Sequence, residues 1–171
     1  MFEIGSYVSY RAEGVCVIAD IRNESFGAIG ASTKYYILSP LNDEKSTVFV
    51  PAENELLMGY MRPLLSAAEI HALIEEQKEE RLEWIEESRA RNVKYRDLLA
   101  EGDRRVLITL VQTILDYAAA IQPKKLGSTD ENALKRATRM LYEEFSATTD
   151  LAEVEEILPL LRGERILKPK K

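Results

Sequence analysis

The hydrophobic period of this chain changes once, at Pro63. Before it, apolar residues alternate or form short β-branched runs; after it, they recur every three or four positions. A chain of 171 residues can hold one full-sized core or two small ones, and the change of period favours two.

In the first part, YVSYR (7–11) alternates, Gly14 closes a short turn, and VCVIADI (15–21) resumes with β-branched residues. NESFGAIGAS (23–32) reads as a loop, and its two glycines lack the strand-into-helix setting of a phosphate loop. TKYYILSP (33–40) and STVFVP (46–51) flank LNDEK, whose Asn42 and Asp43 signal a turn. Four or five short strands within about fifty residues point to a small β-barrel over residues 1–65. Such a barrel is too small to enclose a ligand, so its surface and edges are the useful parts.

Beyond Pro63, Ser66 and Glu69 have capping-box spacing before Ile70, Leu73 and Ile74. Gly102 and Asp103 end one helix and cap the next, which carries the wide stripe Leu107, Leu110, Val111, Ile114 and Leu115. Pro123 ends that helix. Ser128 and Glu131 read as a second capping box, ahead of Leu134, Ala137, Leu141 and Phe145. A last helix carries Leu151, Val154, Leu158 and Leu161, with Pro159 in its middle and Gly163 as its stop. The expected fold class is therefore β + α in two domains: a small barrel, then an all-α domain over residues 66–165. Residues 166–171 are expected to fray.

The chemistry-bearing residues are sparse. One histidine, His71, and one cysteine, Cys16, cannot assemble a His/Cys metal site, and no nucleotide-binding glycine motif is present. The pairs Glu79–Glu80 and Glu86–Glu87 are expected on charged helices, where adjacent side chains diverge and make poor acid/base dyads. No enzyme, cofactor, metal or small-molecule substrate is expected. Cys16 lies in an apolar run, which fits a buried thiol in a reducing compartment. MFEIGSYV lacks the basic and apolar regions of a signal peptide, and no apolar run approaches the ~20 residues of a membrane span. The expected location is the cytoplasm.

The net charge of −6 argues against holding nucleic acid by charge alone. Charge is segregated, however. Residues 67–80 hold five acids against Lys78, whereas residues 89–105 hold the six bases Arg89, Arg91, Lys94, Arg96, Arg104 and Arg105 against three acids. Those bases form either a solvated helix face or a phosphate-binding patch. Ahead of them, in RLEWIEESRARNVKYRDLL (81–99), stands the only tryptophan, Trp84. It either packs into a helical core or meets a partner.

Several ordered blocks resemble the CarD/CdnL transcription regulators. MFEIGSYVSYRAEGVCVIADI, YYIL and VFVPAENELLMGYMRPLLS are similar to their N-terminal module, which transcription-repair coupling factors share. KYRDLLAEGDRRVLITLVQTIL and KKLGSTDENALKRATRMLYEEF are similar to their helical domain. This resemblance implies a Tudor-like (SH3-like) barrel docked on the β subunit of bacterial RNA polymerase. It also implies a helical domain touching promoter DNA at the upstream edge of the melted bubble, which would associate the chain with the nucleoid. In that family a tryptophan before a basic helix wedges into the minor groove, a role that falls here to Trp84. Arg89, Arg91, Lys94, Arg96, Arg104 and Arg105, with Lys135, Arg136 and Arg139 on a later helix, would contact DNA weakly and without sequence preference. Thr47, Val48, Phe49, Val50 and Pro51 form the candidate polymerase-docking strand. Alternatively this is an ordinary barrel strand with Val48 and Val50 inside and Phe49 outside. A protein–protein adaptor that binds no DNA is the competing function. The two differ in whether the bases gather on one face with Trp84 or pair with acids.

Overall fold

The computed structural model describes residues 1–26 and 32–171. The chain divides into two compact units, Met1–Leu64 and Leu65–Lys171. Among the described residues, no helix is long and apolar enough to cross a membrane.

The first unit is a five-stranded antiparallel sheet. Its strands are β1 (Tyr7–Tyr10), β2 (Gly14–Glu24), β3 (Thr33–Pro40), β4 (Val48–Pro51) and β5 (Met61–Pro63), ordered β4-β3-β2-β1-β5. A five-residue helix, α1 (Glu55–Gly59), joins β4 to β5 and is capped by the Asn54 side chain. Alternation puts Val8, Tyr10, Cys16, Ile18, Tyr36, Leu38 and Val50 into one core. β2 outruns its expected end at Ile21: a register shift between Ile18 and Asp20 lets Asn23 and Glu24 pair with Lys34 and Thr33. The expected loop 23–32 therefore begins later, and its residues 27–31, with most of FGAIGAS, lie outside the described residues. Burial pushes the Cys16 thiol up to about 12, with a smaller contribution from Glu13. Cys16 should accordingly resist iodoacetamide at mildly alkaline pH, and label only when the sheet is unfolded.

The second unit packs α2 (Ala67–Gln77), α3 (Ser88–Glu101), α4 (Arg104–Ala120), α5 (Ser128–Phe145) and the short α6 (Ile157–Leu161) around one apolar core. Leu107, Ile108, Leu110, Val111 and Ile114 of α4 are its centre. The Ser66–Glu69 capping box forms. Gly102 closes α3 in the left-handed conformation (φ 63°), and Asp103 caps α4.

Three local expectations fail. Gly127, not Ser128, is the N-cap of α5, and no side chain caps it. Asp130 instead turns into the core, while Glu131 pairs with Lys135. The last helix shrinks to a 3₁₀ turn at Val154–Glu156 plus α6, leaving Leu151 outside it. Between α2 and α3, residues 78–87 form no regular helix, so Glu79, Glu80, Glu86 and Glu87 are not helical neighbours. Glu87 is the N-cap of α3; it accepts from the Ala90 and Arg89 amides, which hold its carboxyl below the usual range.

The tail is anchored rather than frayed. Leu167 is buried, and its amide donates to His71 Nε2 at 2.9 Å. Thr149 bridges Pro169, and the Asp150 amide donates to the Lys168 carbonyl at 2.9 Å. A terminal segment stays ordered when its apolar side chain and amides find partners, as here. Deleting residues 166–171 should expose the Leu167 site, remove about 1.5–3 kcal/mol of apolar burial, and lower the melting temperature by at least about 5 °C. An unchanged melting curve would show that this anchoring contributes nothing.

Candidate nucleic-acid interface

Trp84 sits on the irregular strap of residues 78–87, immediately ahead of α3. The strap is pinned on one side of Trp84 to α4: Arg81 Nε donates to Asp116 Oδ2 at 2.6 Å, and the Leu82 amide donates to Thr113 Oγ1 at 2.9 Å. On the other side Arg91 Nη1 donates to the Ile85 and Glu86 carbonyls at 2.7 and 3.0 Å. The half-buried indole stacks on Tyr117 of α4, with centroids 3.9 Å apart and planes 23° from parallel. The Arg91 guanidinium lies over the same ring, 4.5 Å from its centroid. The indole Nε1 is buried without a hydrogen-bond partner. A cleft of about 360 Å³ opens here, lined by Glu83, Trp84, Ile85, Lys94 and Tyr95 among others.

The ten candidate DNA-contacting residues do not form one patch. Arg91, 7% exposed, is a core residue: its Nε and Nη2 grip Asp130 at 2.7 and 2.9 Å, and Tyr95 Oη donates to the same carboxylate at 2.8 Å. Four of its five N–H donors are thus engaged, leaving little with which to hold a phosphate. Desolvation, helped by Asp130, raises the Tyr95 pKa and keeps its hydroxyl a donor. Arg104 is likewise buried, paired with Glu144. Arg105 is exposed but pairs with Glu76, and Lys135 and Arg139 pair with Glu131 and Glu143 one turn along α5. Arg89, Lys94, Arg96 and Arg136 are exposed, with no ion-pair partner among the described residues. Arg89 and Arg96, two turns apart, share a face of α3, and Lys94 borders the Trp84 cleft. Lys135, Arg136 and Arg139 line a different groove, of about 800 Å³, with Tyr142 and Leu158.

Asp130, Tyr95, Tyr117 and Arg81, which organise the Trp84 strap, escape a reading based on charge runs. One signal was available for the first two: Arg91, Tyr95 and Leu99 fall on one helical stripe, so an acid had to meet Arg91 inside.

In the first unit, β4 is an edge strand, paired only with β3 among the described residues. The Ala52 amide donates to the Lys34 carbonyl, so by antiparallel alternation Val50 and Val48 bond to β3. Phe49 then directs its main-chain N–H and C=O to the open edge. Val50 is a core residue and Val48 is packed against the core, so neither offers a side chain to a partner, while Thr47 is exposed just ahead of the strand and Pro51 has no N–H. The Phe49 ring is exposed and meets Phe26 and Tyr35 edge-on, at 5.2 and 6.2 Å.

Residues 2–65 match the family model of the CarD-like/TRCF RID domain, a family of RNA-polymerase-interacting domains. The first unit is a CarD-like/TRCF RID domain. Its match ends where the helical unit begins, so Trp84 and the nine candidate bases lie outside it. No curated protein matches the chain. Within the CarD-like domain, β4 combines an unpaired edge with an exposed aromatic cluster, the two features by which a sheet captures a partner strand.

Proposed function

We propose that this protein is a non-enzymatic, cytoplasmic CarD-like transcription regulator that docks on the β subunit of bacterial RNA polymerase. Its five-stranded sheet curls into a Tudor-like barrel that stays open at β4, and β4 extends a sheet of the polymerase through the main chain of Phe49. Its helical unit stabilises the open promoter complex, with Trp84 against the minor groove at the upstream edge of the bubble. The observation that carries this reading is the CarD-like/TRCF RID match joined to a free β4 edge. Trp84, half-buried ahead of a helix with unpaired Arg89, Lys94 and Arg96, supports the DNA part. So few free bases bind phosphate weakly, which suits a protein tethered by its other unit, because docking makes DNA contact intramolecular.

Phe49→Pro tests the docking. It deletes the one outward N–H without touching the β3 ladder. The folded variant should lose capture by the β subunit, whereas capture at wild-type strength would overturn edge pairing. The adaptor reading is favoured by one observation: Arg91, Arg104, Arg105, Lys135 and Arg139 all pair with acids of this chain. It predicts β-subunit binding with no effect on promoter DNA.

A further inference from the structure

Trp84 is held between two side chains, Tyr117 of α4 and Arg91 of α3, and Arg91 makes the wider set of contacts. Arg91 covers its ring, holds the carbonyls of the next two residues, Ile85 and Glu86, and is itself gripped in a fork by Asp130 of α5. Asp130 is 2% exposed and is steadied by Tyr95. The strap has no helical hydrogen bonds of its own here, and the indole N–H finds no partner. Its orientation is therefore imposed from outside: by Tyr117 stacking against the ring and by Arg91 lying over it. A guanidinium can do all this at once because it is planar, stacks on aromatic rings and presents a rigid fork of donors. An ammonium cannot.

We propose that Arg91 is a positioning residue: with Asp130 as its anchor, it fixes the Trp84 ring in the orientation the ring uses against DNA. This inference rests on the proposed role of Trp84, but its structural half is independent of that role. The ring's edge is preset in the free protein, so DNA engagement does not have to order it. Arg91 was expected among the phosphate contacts; on this view it acts through Trp84 instead.

Because Trp84 is the only tryptophan, its fluorescence reports this site alone. In full-length Arg91→Lys, below its unfolding transition, Trp84 emission should shift to the red, acrylamide quenching should rise and anisotropy should fall. A merely structural Arg91 would lower the melting temperature and leave these signals of the folded protein unchanged, which would overturn the inference. Asp130→Asn is the second variant, since Asp130 grips the guanidinium that lies over Trp84; it should move the same signals in the same direction if Arg91→Lys does not fold. On open-complex lifetimes, Arg91→Lys should shorten life in the wild-type background. In a Trp84→Ala background it should add nothing beyond roughly twofold, the scatter of independent sites. Losses that multiply in the double variant would overturn positioning. If Trp84→Ala alone leaves lifetimes unchanged, the DNA role of Trp84 falls, and the fluorescence result still decides whether Arg91 sets the ring.

Discussion

Arg104→Ala should destabilise the helical unit by about 3–5 kcal/mol, because it strands the buried Glu144 carboxylate. Arg89→Ala and Arg96→Ala, on the solvent face of α3, should each change stability by less than about 0.5 kcal/mol. Arg104 is 9% exposed and Glu144 6%. Removing Arg104 takes the guanidinium from a carboxylate that is almost wholly out of water. Chemical unfolding of the three variants checks the contrast. Equal midpoints would mean that the Arg104–Glu144 pair is solvated in solution. The same variants separate the two kinds of base functionally. Arg89→Ala and Arg96→Ala should reduce any effect on promoter complexes, more so at low salt, since phosphate contacts release counterions. Arg104→Ala should act only through loss of folded protein.

That difference between bases was present in the sequence, though hidden by counting charge. Arg104 precedes Leu107, Ile108 and Val111 by three, four and seven positions, which places it on the buried stripe of α4. Arg91 stands likewise to Tyr95 and Leu99. A base on an apolar stripe must be paired, and the acids that pair with these two lie far along the chain, on α5. Periodicity reveals that a charge is buried. It cannot reveal which distant carboxylate meets it.

The strands β1 to β4 and the helix boundaries at Ser66, Gly102 and Asp103 follow from local chemistry, and so local patterns find them. The strap of residues 78–87 does not. Its amino acids have respectable helix propensity, yet they leave the helix because tertiary bonds from Arg81, Leu82 and Arg91 compete with the intrahelical ladder. The capping box at Ser128 failed for the same reason: Asp130 is drawn inward by Arg91, so α5 begins a residue earlier, with Gly127 as its N-cap. The anchored tail depends on His71, which is remote in sequence and carries no local signal.

Trp84→Ala should have two measurable consequences of different size. The ring is stacked on Tyr117 and covered by Arg91, but it is only half-buried. Its loss should therefore cost about 1–3 kcal/mol of stability, less than the ~3–5 kcal/mol of a fully buried aromatic. The buried indole N–H has no partner, so removing it leaves no orphaned group behind and pulls the cost toward the lower figure. The effect on promoters should be larger in proportion. A ring that holds one unstacked base step supplies a few kcal/mol, and each 1.4 kcal/mol lost shortens a lifetime about tenfold. At a temperature where the variant remains folded, open complexes should thus decay at least about tenfold faster with it than with the wild-type protein. Capture by the β subunit should be unchanged, because the docking edge belongs to the other unit. A fall in melting temperature with unaltered open-complex decay would make Trp84 a packing residue of the helical unit, and the adaptor reading would then stand.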